Sequence, residues 1–310
     1  MEDSNVLVVA FDGLDFSRIQ SLDLNRIRQF EFGKIDNQTR ISKTVTPELF
    51  ASFLTGSTHK RHGVTGFRRS NNRRFFKLRK TFYGLTGRKS GLGKLHSILE
   101  IFLDMYHRPY DRRDYNTPTL FDEIENSKSL NVPGYDRVMF LGFAEYYKKF
   151  GREQTLRYFE QERQKREEEL FEELGKPAYN FLMAHFHKPD AYQDLFYKYS
   201  DDEEREKVLN KVYADMEDLA SRIKKKAEGK YDTIIFMSDH GMPTEKAHNE
   251  NAFYSCNHKL FPDSTPHITD FHDKILELTS SENSELREIN KPHKEEDEEV
   301  KDRLRDLGYM

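Results

Sequence analysis

Two short apolar runs in this chain end in residues that can hold a cation or move a proton. Val6-Leu7-Val8-Val9-Ala10-Phe11 runs directly into Asp12-Gly13, and Thr233-Ile234-Ile235-Phe236-Met237 into Ser238-Asp239-His240-Gly241. Apolar, β-branched runs bounded by turn residues read as buried strands. In open α/β sheets the carboxyl ends of such strands are where ligands bind. Asp beside His is a hard-plus-borderline donor pair suited to Zn²⁺ or Mn²⁺. For Asp12 alone, a helix cap or turn start is the competing reading. A third segment runs from Thr44 through Thr46-Pro47-Glu48-Leu49 to Thr55-Gly56, followed by His62-Gly63. Pro47 suits the first turn of a helix, which puts the Thr46 hydroxyl among free backbone N–H groups that favour an anion such as phosphate. Taken alone, Thr46 is better read as an N-cap.

Together these segments resemble the alkaline phosphatase superfamily, most closely its type I phosphodiesterase/nucleotide pyrophosphatase branch. Two more stretches fit in the same order: Phe181 to Pro189-Asp190, similar to the family's strand ending in Pro-Asp, and His248-Asn249-Glu250, similar to its late metal histidine. The resemblance implies two metal sites. Asp12, Thr46, Asp239 and His240 would bind one metal, with Thr46 as the nucleophile, and Asp190 and His248 the other. The family places a His four residues after the Pro-Asp carboxylate, where this chain has Asp194. A carboxylate there tilts preference toward Mn²⁺, Mg²⁺ or Fe²⁺. On a strand running through to Asp190, His185 and His187 would share a face opposite it, which makes them supporting residues rather than ligands. Leu49 stands where nucleotide pyrophosphatases carry an Asn against a phosphoryl oxygen, so another charge must serve.

The chemistry has its own logic. Two metals about 3.5–4 Å apart can clamp the attacking and leaving oxygens of an in-line displacement. A threonine hydroxyl needs such help to attack, and the expected course passes through a phosphothreonine at Thr46. Sulfatases of the superfamily need a formylglycine made from Cys or Ser. Thr46 cannot supply one, and the only cysteine, Cys256, lies far off in sequence.

The elements that must position these groups alternate strand with helix, which predicts an α/β fold: a mostly parallel central sheet with helices on both faces and an inserted cap region. The 310 residues suit one large catalytic domain, 1–310, with a basic cap-like insertion at 68–115 and a charged tail or surface helix at 280–310. Between Arg68 and Lys94 ten Lys and Arg side chains occur without one acid, with Phe75, Phe76, Phe82 and Tyr83 interleaved. With no nucleic-acid motif beside it, that stretch reads first as a solvated insertion with Gly-rich ends; a cap attracting a polyanionic substrate, nucleotide or nucleic acid, is the functional alternative. Thr117 to Ile124 reads as a capped helix leading to a strand at 137–142. The Glu-, Gln- and Arg-rich stretch 152–174 reads as a solvated helix, and Val208, Leu209, Val212, Tyr213, Met216, Leu219, Ala220 and Ile223 as the apolar face of another.

Net charge is −4 and there is one cysteine, so no internal disulfide forms. The chain opens directly on a predicted core strand and no apolar run approaches membrane-span length, so a cytoplasmic location is expected. His258, His267 and His272 are rival late ligands, each more easily read as structural. The expected function is a metal-dependent phosphoesterase, a phosphodiesterase in preference to a monoesterase, with two divalent ions, Zn or Mn, and a phosphate-ester substrate. A phosphomonoesterase or phosphonate hydrolase on the same core is the alternative. A non-catalytic metal- or phosphate-binding protein is the rival from another class. Asp194 for His and Leu49 for Asn speak for it; Thr46 and the ligand-type side chains of Asp12, Asp190, Asp194, Asp239, His240 and His248 speak against it.

Overall fold

A computed structural model describes residues 4–39, 41–70, 107–136, 143–243, 248–262 and 264–280. In chain order the elements are β1 (Val6–Phe11), α1 (Phe16–Ser21), β2 (Glu31–Lys34), α2 (Thr46–Thr55), α3 (His59–His62), β3 (Arg68–Ser70) and β4 (His107–Pro109). They continue with α4 (Leu120–Glu123), β5 (Ser127–Leu130), α5 (Phe143–Gly175), β6 (Phe181–Phe186), α6 (Lys188–Tyr199), α7 (Asp202–Ala227), β7 (Thr233–Met237), β8 (Phe253–Cys256) and α8 (Asp270–Thr279). Six strands form one sheet in the order β2-β8-β7-β1-β6-β5. The pairs of β1 with β6 and β7, and of β5 with β6, are parallel, whereas β8 runs antiparallel to both β7 and β2. The sequence-predicted α/β class with a mostly parallel sheet is the fold observed.

β1 lies between β6 and β7 and carries no polar residue along its length, as a strand covered on both faces must. Its alternating side chains serve two cores. Val6, Val8 and Ala10 join Leu49, Phe50, Phe53 and Phe271 on one side, and Leu7, Val9 and Phe11 join Leu170, Leu174, Leu219 and Ile223 on the other. Each fully buried Leu, Ile or Phe contributes about 1.5–3 kcal/mol, so the sheet centre is the stiffest ground on which to mount a site. The predicted apolar face of α7 is buried from Leu209 to Ile223, with Val208 partly exposed at its margin. α5 is interrupted at Gly151, whose φ of 75° and ψ of 177° are not helical. The stretch after it is solvated over much of its surface but anchored by Phe159, Leu170 and Leu174.

The strand predicted to run as far as Pro189-Asp190 stops at Phe186. His187 turns into the right-handed helical region (φ −88°, ψ −6°), and Pro189 sits in the first turn of α6, where a missing N–H costs nothing. Around the sequence-predicted cap, β3 and β4 pair antiparallel. Residues 71–106, with most of the basic stretch, lie outside the described residues, as do the predicted strand at 137–142 and the tail from 281 onward. Among the described residues no helix is long and apolar enough to cross a membrane.

Candidate metal centre and active site

Register brings the site together. Ala10 is level with His185 on β6 and with Met237 on β7, so three adjacent parallel strands end side by side. The residues just past those ends are Asp12, His187 with the start of α6, and Ser238-Asp239-His240. Gly13 makes the turn after Asp12 at φ +75°, and a Cβ there would stand 3.1 Å from the Asp190 Cβ, so only glycine fits. At the other strand end an added Cβ on Gly241 would meet Asn249 Oδ1 at 2.0 Å. Asn249 and Asn251 in turn donate to Asp15 Oδ2 at 2.8 and 3.3 Å, pinning the segment that follows His248 against the start of α1.

Asp12, Asp239 and His240 are essentially inaccessible, and Asp190 is 6% exposed. His240 Nε2 is 3.2 Å from Asp12 Oδ1, 3.6 Å from Asp239 Oδ2 and 4.0 Å from Asp190 Oδ1. His248 Nε2 is 3.3 Å from both Asp190 Oδ1 and Asp194 Oδ1, and its ring stacks on His240 with centroids 4.0 Å apart. Thr46 Oγ1 is 3.5 Å from His240 Nε2. All seven residues singled out in the sequence therefore converge on one place. Thr46 is not an N-cap: Val45 holds that position and no side chain caps it. Nor does Asp12 cap α1, since Asp15 does.

His185 and His187, expected from the sequence to support rather than ligate, both approach Asp12, although the strand geometry used to place them differs. His185 reaches Asp12 from within β6 and His187 from the turn after it; Asp12 Oδ2 lies 3.1 Å from His185 Nε2 and 2.7 Å from His187 Nδ1. The signal available was Pro189, read as a strand terminus instead of a helix start. Leu49 is wholly buried in the core and does not face the site. His62 is also structural. Its Nδ1 accepts from Val64 N–H and its Nε2 meets Ser52 Oγ, both at 3.1 Å, while burial and neighbouring His59 lower its pKa to about 4.

The electrostatics are those of a site built around positive charge. Burial, and then the charge of Asp12, push Asp239 up to about 8 and Asp190 up to about 6. Burial also works against a charged His240, yet Asp239 and its neighbours hold this imidazole well above its usual range. For Asp12, burial is overcome by the hydrogen bonds of His185 and His187 and by the nearby His240 imidazole, which keep its carboxyl well below the usual carboxylate range. Asp12 Oδ1, Asp190 Oδ1 and both carboxylate oxygens of Asp239 are buried without a hydrogen-bond partner. Unpaired buried carboxylate oxygens are expensive unless a cation meets them. These oxygens group with imidazole nitrogens, the donor atoms of each trio lying within 4.8 Å of one another, a set that fits a metal cation.

A pH dependence follows. Asp239, and with it His240, has a folded pKa above its unfolded value, so the stability each contributes is lost as pH rises through the folded value. His62 and His185, both held near 4 chiefly by burial, act in the opposite sense only below about 6.5. Chelator-stripped protein should thus lose melting temperature between pH 6.5 and 8. The stabilisation gained on adding Zn²⁺ should grow over the same window, with protons released on binding. Calorimetry in buffers of different ionisation enthalpy measures that release directly; binding without it would contradict this electrostatic picture.

The rival histidines lie elsewhere with partners of their own. His258 Nε2 meets Thr233 Oγ1 at 2.8 Å, His267 Nδ1 meets Thr269 Oγ1 at 2.7 Å, and His272 Nε2 meets Glu123 Oε2 at 2.9 Å. His267→Ala is expected to leave Zn²⁺ affinity within about threefold of wild type. Severe metal loss in a competition assay would move the late ligand away from His248.

No curated protein matches the chain in sequence. A search of solved structures finds murine ectonucleotide pyrophosphatase/phosphodiesterase 5, at 14% identity and a TM-score of 0.46, covering 78% of this chain and 58% of that one. An inactive variant of the murine protein in complex with AMP matches at 13% identity and a TM-score of 0.46, covering 79% and 59%. The human protein matches at 12% identity and a TM-score of 0.41, covering 76% and 57%. The chain thus spans less than two thirds of the length of these proteins. The sequence profile of the family described as type I phosphodiesterase / nucleotide pyrophosphatase matches residues 6–307, nearly the whole chain, and the protein belongs to that family.

Proposed function

We propose that this protein is a metal-dependent phosphodiesterase in which Thr46 is the nucleophile. In this reading Asp12, Thr46, Asp239 and His240 hold one divalent cation, and Asp190, Asp194 and His248 hold a second. The observation that carries it is the set of buried, partnerless oxygens on Asp12, Asp190 and Asp239 beside the Thr46 hydroxyl. Family membership supports diester hydrolysis as the reaction class.

Bound there, divalent cations would lower the pKa of the Thr46 hydroxyl and offset charge on the phosphoryl oxygens. The chain's own residues account for the rest. Thr46 opens α2, so its Oγ1 stands at the N-terminal end of that helix's dipole, where a phosphoryl group is favoured. Attack by Oγ1 forms a Thr46 O–P bond and breaks the bond to one alcohol, which leaves with a proton. Water then cleaves the Thr46 ester and restores the hydroxyl. The Nδ1–H of His240 donates to the Gly241 carbonyl at 2.9 Å, so Nε2, turned toward Asp12 and Thr46, is the nitrogen that would give up its proton to hold a cation. The ester could be a nucleotide or a nucleic acid met by the basic 68–94 stretch. A cytoplasmic setting suits the single, buried Cys256.

The test is hydrolysis of a chromogenic phosphodiester beside the matching monoester, after reloading with Zn²⁺ or Mn²⁺. Faster diester turnover is the expected result. A preference for the monoester would make the protein a phosphatase on the same core.

A further inference from the structure

His185 and His240 are both buried at the same sheet edge and both approach Asp12, yet what meets their Nδ1 atoms is opposite in kind. His240 Nδ1 faces a carbonyl, the Gly241 oxygen at 2.9 Å, and must donate to it. His185 Nδ1 faces the Nη1 of Arg166 at 3.3 Å, and the same Nη1 lies 3.2 Å from the His185 carbonyl. A guanidinium has donors and no acceptor. His185 Nδ1 must therefore accept, and the ring proton belongs on Nε2. That proton points at Asp12 Oδ2, 3.1 Å away.

From these contacts we infer that Arg166 and His185 form a positioning relay for Asp12: Arg166 fixes the His185 tautomer, and the Nε2–H so fixed occupies Asp12 Oδ2. Oδ1, the oxygen without a hydrogen-bond partner, is left turned toward His240 and the proposed cation. The inference rests on reading Asp12 as a metal ligand. Phe50 packs edge-on against the His185 ring at 5.2 Å and 87°, which resists rotation of the imidazole. His187 Nδ1 approaches the same Oδ2 at 2.7 Å, so that oxygen is shared by two imidazoles.

Asp12, His185 and His187 also satisfy the spacing of a metal-binding trio, their donor atoms lying within 4.8 Å of one another. The relay assigns them otherwise. An Nε2 that carries a proton has no lone pair to give a cation, and the guanidinium on the far side of the ring adds a positive charge that disfavours a third ion. Anchoring partners of this kind typically carry 10–100-fold in metal affinity.

The experiment is nitrogen-15 NMR of histidine-labelled full-length protein, recorded before and after Zn²⁺ is added, with Zn²⁺ affinity measured by competition against a chromogenic chelator. His185 should show a protonated Nε2 and a bare Nδ1 in both states. Gln at 185 places an amide N–H near the position of Nε2–H, so His185→Gln should keep Zn²⁺ affinity within about threefold, whereas His185→Leu should lose about 10–100-fold. Arg166→Met should shift the His185 ring toward the other tautomer and weaken Zn²⁺ binding about tenfold, read only where its melting curve stays cooperative. Zn²⁺ ligation at His185 Nε2, a third bound equivalent, or equal losses in the Gln and Leu variants would each overturn the relay. Because the tautomer is read without metal as well, a wild-type protein that binds no Zn²⁺ would reject the metal-centre reading separately. In that case a bare Nε2 on His185 would still reject the tautomer assignment.

Discussion

Thr46→Ala is expected to abolish diester turnover, by about a thousandfold or more, while leaving Zn²⁺ binding largely in place and the melting temperature near wild type. The large loss follows from chemistry: with no hydroxyl there is no atom to accept the phosphoryl group. The small structural effect follows from the fold. Thr46 sits at the first position of α2, Val45 is the N-cap, and the start of the helix depends on no capping bond from the Thr46 side chain. The segment leading to it is held instead by Glu48, which accepts from Ser42 N–H at 2.9 Å and from the Ser42 hydroxyl at 2.7 Å. A further readout separates the nucleophile from a mere positioning group. Hydrolysis of a chiral phosphorothioate diester through a Thr46 ester proceeds by two displacements and returns overall retention at phosphorus. Inversion, or an alanine variant that keeps a tenth of the rate, would remove Thr46 from the role.

Asp239→Asn should produce the opposite pairing of effects, a loss of function with a gain in stability. Asp239 is fully buried, neither of its oxygens has a hydrogen-bond partner, and burial with the charge of Asp12 raises its pKa to about 8. Above that pH the stripped wild-type protein must hold a second buried negative charge next to Asp12, offset only in part by His240. The amide removes that charge without changing shape. Stripped Asp239→Asn is thus expected to melt higher than stripped wild type at pH 9, to gain little on adding Zn²⁺, and to lose more than the 10–100-fold in metal affinity that an outer hydrogen-bond partner costs. Thermal melts with and without Zn²⁺ measure both halves. A stripped variant less stable than wild type at pH 9, combined with normal metal affinity, would show that Asp239 is structural.

How much of this was legible in the chain depends on the range of the interactions concerned. β1 and β7 could be placed to the residue, because a run such as Thr233 to Met237 is apolar throughout and ends at a turn. The helix opening at Thr46 was announced by Pro47. Each of those signals is local. The end of β6 was not, because His185 and His187 alternate as strand residues do, and only the turn into α6 reveals that His187 has left the strand. The choice between N-cap and active-site hydroxyl at Thr46, or between ligand and donor at His185, is set by contacts from distant segments. His240 is 194 positions from Thr46, and Arg166 reaches the His185 ring from α5. The family resemblance supplied the grouping of Asp12, Asp190 and Asp239; register across three parallel strands is its physical cause.

The measurement that bears most directly on the central claim is diester hydrolysis by one preparation in three states: stripped by chelator, reloaded with Zn²⁺, and reloaded with Mn²⁺. The account predicts negligible turnover after stripping and restoration that saturates near two bound ions per chain. Turnover that survives complete removal of metal would contradict it, as would tight binding of both ions with no ester hydrolysed.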